Sequence, residues 1–219
     1  MRRPIVWCVA GVFLLVAVGL AGNQQGVAEE LKVLQLSQPR LDKGRALMAV
    51  LKERKSSRSF NSKELPLEVL SDLLWAAFGV NRPESDGRTA PSASNRKEID
   101  IYVAMERGLY LYDPDRHILD PVMAKDIRSV TGKQEFVARA PVDLIYIADF
   151  ARMGGDEATK IFYSAADTGF ISQNVYLFSA SEGLSTVILG MVDKQALAQA
   201  MNLKNDQRVI LTQPVGYPE

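Results

Sequence analysis

Apolar positions along the chain change period several times, and each change marks an element. Ala46, Leu47, Val50 and Leu51 recur at three and four, which predicts an amphipathic helix over Lys43 to Glu53. Pro66-Leu67-Glu68 opens a second helix, because a proline in the first turn gives up an amide proton that has no partner there. Its apolar face is Leu67, Leu70, Leu73, Leu74, Ala77 and Phe78, and Gly79 is placed to end it. From Asn81 to Glu98 the periodicity vanishes and a long loop is expected; loops of that length in compact domains are often functional. Ile99 to Met105 and Leu109 to Tyr112, separated by Glu106-Arg107-Gly108, predict a β-hairpin.

Further on, Pro121 to Ile127 reads as a short helix and Gln134 to Arg139 as another turn or two. Val142 to Ala148 is nearly apolar throughout, the mark of a central strand. A long helical pattern runs from Glu157 to Glu182, carries the small residues Ser164, Ala165, Ala166 and Gly169, and closes at Gly183. Leu184 to Leu189 is a buried strand-like run ending in Gly190, Lys194 to Met201 a last helix, and Val209 to Val215 a last strand. Strands and helices do not alternate regularly. The expected class is α+β, with a mostly antiparallel central sheet flanked by helices, one of them long.

The first residues follow another logic. Met1-Arg2-Arg3-Pro4 is a short basic start and Ile5 to Ala21 an almost unbroken apolar run, followed by small residues at Gly19-Leu20-Ala21 and Gly26-Val27-Ala28. This predicts a secretory signal peptide over residues 1–28, cut after Ala28 or Ala21, and hence an exported, periplasmic protein. An uncleaved membrane anchor over residues 5–21 is the alternative, since an apolar run of about 17 residues lies at the lower edge of what spans a bilayer. Residues 29–42 then form an N-terminal arm, and residues 43–219 the folded domain.

Composition narrows the function. Lys plus Arg and Asp plus Glu both total 26, so the chain lacks the basic field of a nucleic-acid binder. Its single cysteine, Cys8, lies inside the apolar run; cleavage leaves no thiol for a disulfide, a nucleophile or a thiolate-bound metal. No histidines or carboxylates fall at metal-ligand spacing. Trp75, Phe78, Tyr102 and Tyr110 sit at helix or strand period and read as core, the lone His117 reads as solvated in a polar turn, and Asp126 with Arg128 as a surface pair.

One stretch stands apart: Arg54-Lys55-Ser56-Ser57-Arg58-Ser59-Phe60, directly after a helix. Arginine offers a rigid fork of donors, lysine a point charge, and serine short neutral donors, a combination suited to a phosphate. Taken alone it is equally a solvated basic turn.

Together with three later blocks the stretch resembles the nitroreductase family of flavin mononucleotide (FMN) enzymes, and within it the SagB-type dehydrogenases. The blocks are Leu74 to Arg82 with Arg88-Thr89-Ala90-Pro91-Ser92-Ala93; Asp167-Thr168-Gly169 through Gln173-Asn174 and Glu182-Gly183-Leu184; and Leu189-Gly190 with Pro214-Val215-Gly216-Tyr217-Pro218. The resemblance implies a homodimer holding FMN at the subunit interface, reduced by NAD(P)H and acting on a small-molecule substrate. It implies that Arg54, Lys55, Ser56 and Arg58 hold the phosphate and ribityl end. Pro91, Ser92, Ala93 and Asn95 would lie along the ring and ribityl chain, and Leu189 and Gly190 would offer backbone amides near the ring. A flavin-binding protein of the same fold without turnover is the alternative.

Overall fold

The computed structural model describes residues 30–219, so the signal or anchor segment expected over residues 1–28 lies outside the described residues. The strands are β1 (Leu34–Gln35), β2 (Val80–Arg82), β3 (Gly87–Arg88), β4 (Ile99–Met105), β5 (Gly108–Asp113), β6 (Ile118–Met123), β7 (Val142–Asp149), β8 (Ser185–Thr186) and β9 (Gln207–Gly216). The helices are α1 (Leu47–Glu53), α2 (Leu67–Phe78), α3 (Glu157–Glu182) and α4 (Lys194–Ala200). Seven strands form one sheet in the order β1-β6-β5-β4-β7-β9-β8, and every neighbouring pair is antiparallel. This is the α+β arrangement the pattern predicts.

Alternation along the central strands sorts side chains onto two faces. From β7, Leu144, Tyr146 and Ala148 join the cluster under α2 and α3, with Leu70, Leu73, Leu74, Ile171 and Val175. Ile145 and Ile147 point the other way and pack with Leu197 and Met201 at α4. The strand is therefore apolar throughout because both its faces are covered.

The long helix has the bounds its pattern predicts. The Asp156 side chain accepts the Thr159 N–H at its start, and Gly183 ends it in the left-handed conformation, φ +70°. The first helix starts later than its periodicity suggests, at Leu47, because Gly44 at φ +101° and the extended Ala46 break the turn before it. Gly79 ends α2 by a different route. Its backbone is extended, and a Cβ there would lie 2.4 Å from the Trp75 ring.

Two expectations need correction. Pro121 to Ile127 is not a helix: β6 covers Ile118–Met123, with the buried Ile118 and Leu119 holding it in the sheet. Pro121, which lacks an N–H, is accommodated opposite a register shift between Leu109 and Tyr110. Nor is Asn81 to Glu98 structureless, because β2 and β3 form a small hairpin there, followed by a single helical turn at Ala93–Asn95.

Candidate functional site

The basic stretch leaves α1 and runs beside the end of the sheet. Arg54 donates its N–H to the Val50 carbonyl at 2.8 Å, and Ser57 N–H reaches the Thr186 carbonyl at 2.9 Å. The Ser57 and Ser185 hydroxyls lie 3.0 Å apart. Tyr176 of α3 fixes the middle of the stretch: its hydroxyl accepts the Ile188 N–H at 2.9 Å and lies 2.8 Å from the Ser56 hydroxyl. The Arg54 guanidinium stands over the same tyrosine ring, 5.3 Å from its centre.

The charges of this stretch are not compensated. Most arginines elsewhere meet a carboxylate: Arg40 with Asp72, Arg88 with Asp115, Arg116 with Asp113, Arg128 with Asp126, Arg152 with Asp100. Among the described residues Arg54, Lys55 and Arg58 have no such partner, and Lys55, Ser56 and Arg58 are exposed. Three cations and a hydroxyl thus lie within five consecutive residues, three of the four open to water, a set that could hold an anion by charge-assisted bonds.

The second group of candidates lies on the loop between β3 and β4. Pro91 and Asn95 are exposed, while Ser92 and Ala93 hold the loop together. The Ser92 hydroxyl accepts the Lys97 N–H at 2.9 Å, and the Ala93 N–H is donated to the buried carboxylate of Asp167 at 2.8 Å. Ser94, Asn95 and Lys97 all have left-handed backbones, φ 54°, 53° and 50°, without a glycine among them. Each such residue carries a strain of about 1–2 kcal/mol, so the shape persists only because its surroundings impose it.

The third group differs from expectation in one respect. Leu189 is buried and donates its N–H to the Thr212 carbonyl at 2.8 Å, so that amide is occupied by the sheet. Gly190 is exposed, and its amide has no partner among the described residues.

The long helix relates these groups. Asp167 anchors the Pro91 loop and Tyr176 the basic stretch; they stand nine positions apart on the helix, about 13.5 Å along the axis and two and a half turns. The half turn left over places the two anchors on opposite flanks of α3 within one chain. A cavity of about 580 Å³ between the arm, α2 and α3 contains neither group; Arg40, Trp75, Leu177 and Phe178 are among its lining residues. Trp75 is consequently half-buried, whereas Phe78, Tyr102 and Tyr110 are core as expected.

His117 is likewise not a solvated turn residue. It is half-buried, its Nε2 lies 2.8 Å from the Ser71 hydroxyl and its Nδ1 2.9 Å from the Tyr112 hydroxyl. Because Ser71 donates to the Ser37 carbonyl at 2.6 Å, Nε2 carries the proton and Nδ1 accepts from Tyr112. Burial pushes this imidazole below its usual range, although the Ser37 backbone and Asp72 oppose it. The network ties the arm to α2 and β5. Among the described residues no group of three or more potential ligands is arranged to hold a metal ion, and no helix is long and apolar enough to cross a membrane.

A profile of the Nitroreductase family matches residues 51–217. The chain belongs to the nitroreductase family. It is 35% identical over 180 residues to the nitroreductase-like protein MJ1384 of Methanocaldococcus jannaschii, covering 76% of this chain and 88% of that one. A crystal structure of a nitroreductase-like protein from Ralstonia eutropha superposes with a TM-score of 0.83 at 44% identity, over 89% of this chain and 92% of the other. A chain of the Escherichia coli microcin synthetase McbBCD complex shares the fold at 20% identity and a TM-score of 0.66, over 94% of this chain and 85% of that one. Nitroreductases are oxidoreductases that generally use flavin and are commonly dimeric.

Sequence alone assigns no role to Tyr176 or Asp167, the buried polar groups that hold the candidate segments in place. Asp167 is the one charged residue on the buried stripe of α3, among Ser164, Thr168, Ile171, Ser172 and Val175, and that charge is the signal that marks it.

Proposed function

We propose that this protein is an FMN-dependent oxidoreductase that takes electrons from NADH or NADPH and delivers them to a small organic substrate. The observation that carries the reading is the uncompensated set Arg54, Lys55 and Arg58 around the Ser56 hydroxyl. Arg40, Arg88 and Arg128 each meet a carboxylate; Arg54, Lys55 and Arg58 meet none among the described residues and fit a phosphate dianion.

In this reading Arg54, Lys55, Ser56 and Arg58 bind the phosphate, and Tyr176 keeps Ser56 in place. Pro91, Ser92, Ala93 and Asn95 line the ring, and Gly190 offers it an amide. Bound FMN supplies the electron transfer, while the chain binds, orients and shields it. No protein nucleophile is required.

The opposite placement of the two anchors on α3 supports a shared site, with the basic stretch of one copy facing the Pro91 loop of another. Exposed Phe162, Tyr163 and Phe170 on α3, and Leu47, Met48 and Leu51 on α1, provide apolar surface for such a homodimer.

Purified protein is expected to take up FMN in a titration and to bleach with NADH or NADPH under anaerobic conditions. Protein that takes up no FMN overturns the reading; protein that binds FMN and never bleaches keeps the site and loses the activity. Mixing a variant defective in Arg54 and Arg58 with one defective in the Pro91 loop tests the shared site. Hybrid dimers would hold one intact site, so activity returns on mixing; a site within one chain gives no recovery. The basic and apolar start of the chain further supports export, which fractionation of cells making the full chain would check.

A further inference from the structure

We propose that Glu98 and Asp167 are paired positioning residues, holding a single proton between them that keeps the Pro91 loop in its ring-lining shape. The role of that loop rests on the FMN reading above; the pairing itself does not.

The loop closes on Glu98, the residue immediately before β4. Glu98 is completely buried, and neither of its carboxylate oxygens meets a hydrogen-bond donor from another residue. Its carboxyl group faces that of Asp167, within hydrogen-bonding range, and Asp167 is itself 2% exposed. Two ionised carboxylates cannot share such a space, whereas a carboxylic acid and a carboxylate can. With the proton on Glu98, its O–H donates to Asp167, and Asp167 Oδ2 accepts the Ala93 N–H at 2.8 Å. The pair thereby connects the end of the loop to its beginning.

The remaining charges around Glu98 are few. Asp167 faces it from α3, and Arg152 approaches from the turn after β7. Arg152 donates to the Lys97 and Glu98 carbonyls at 2.9 and 3.1 Å and is itself occupied by Asp100 and Asp149. Burial is the largest influence and raises the Glu98 carboxyl; its own backbone amide opposes this, Asp167 raises it further, and Arg152 lowers it. The result is a group pushed up to about 7. A loop with left-handed backbones at Ser94, Asn95 and Lys97 springs open when its tether weakens. Loss of the proton sets two buried negative charges against each other and releases that tether.

The test is amide exchange of residues 92–97 in FMN-free protein, expressed as protection factors, from mildly acidic to mildly alkaline pH. Wild type is expected to lose about tenfold in protection as pH rises through the Glu98 titration. Glu98→Gln, whose amide donates to Asp167 at every pH, is expected to keep protection and show a flat profile. Asp167→Ala is expected to lose protection throughout. A flat wild-type profile, or an unchanged pH dependence in Glu98→Gln, overturns the proposal. FMN affinity of wild type and Glu98→Gln over the same range separates the two readings. If loop protection titrates but the two proteins bind FMN identically, the pairing stands and the assignment of the loop to the flavin fails.

Discussion

Ser56 and Tyr176, 120 residues apart in sequence, bring their hydroxyls within 2.8 Å of each other. The same tyrosine oxygen accepts the Ile188 amide, so one side chain of the long helix holds both the basic stretch and the segment leading to Gly190.

Tyr176→Phe removes that oxygen and leaves the Ile188 N–H without its acceptor. A buried donor stranded in this way costs about 1–3 kcal/mol. Urea denaturation is expected to show a lower midpoint with an unchanged slope; a variant as stable as wild type would deny Tyr176 its role.

Arg58→Ala and Arg54→Ala each remove a cation from the phosphate seat. A charge-assisted hydrogen bond contributes about 1.5–3 kcal/mol, so FMN affinity should fall about 10- to 100-fold for each. Added salt should weaken wild-type binding in the same direction. Unchanged affinity in both variants would place the phosphate elsewhere.

The imidazole of His117 makes stability fall on the acid side. Its folded-state pKa is depressed by burial, so the unfolded chain takes up the proton first. Stability is therefore full above the unfolded value of about 6.5 and declines as pH drops below it, toward the depressed value. His117→Gln, which cannot titrate, should lose this part of the pH dependence when the two unfolding curves are compared; identical slopes would contradict the network.

Gly183→Ala probes the end of α3. The position has φ +70° and no atom within 4 Å of an added Cβ, so the effect is one of backbone conformation and not of crowding. A loss of about 1 kcal/mol is expected, read as a lowered thermal midpoint. No loss would mean that the cap relaxes freely.

Most of the fold is legible in the sequence where the signal is local and repeated. The stripe of α3, the two-faced apolar run of β7 and the hairpin β4–β5 each announce themselves within a few residues. Pro121 misleads because proline marks both a helix start and a strand irregularity, and only the partner strand distinguishes them. The basic stretch is legible for the same reason α3 is, because its chemistry is contiguous. Its partners are not: Ala93 finds Asp167 across 74 residues. His117 is hidden on similar grounds, since Ser71 and Tyr112 reach it from separate elements.

A helix cannot gain one residue without rotating everything beyond it by about 100°. Between Asp167 and Tyr176, α3 can therefore accept many exchanges of side chain but no change of length. A single inserted residue there would turn Tyr176 away from the basic stretch and carry the buried Val175 out of the core beside it. Anchor and core packing would fail together, whereas Tyr176→Phe removes the anchor alone.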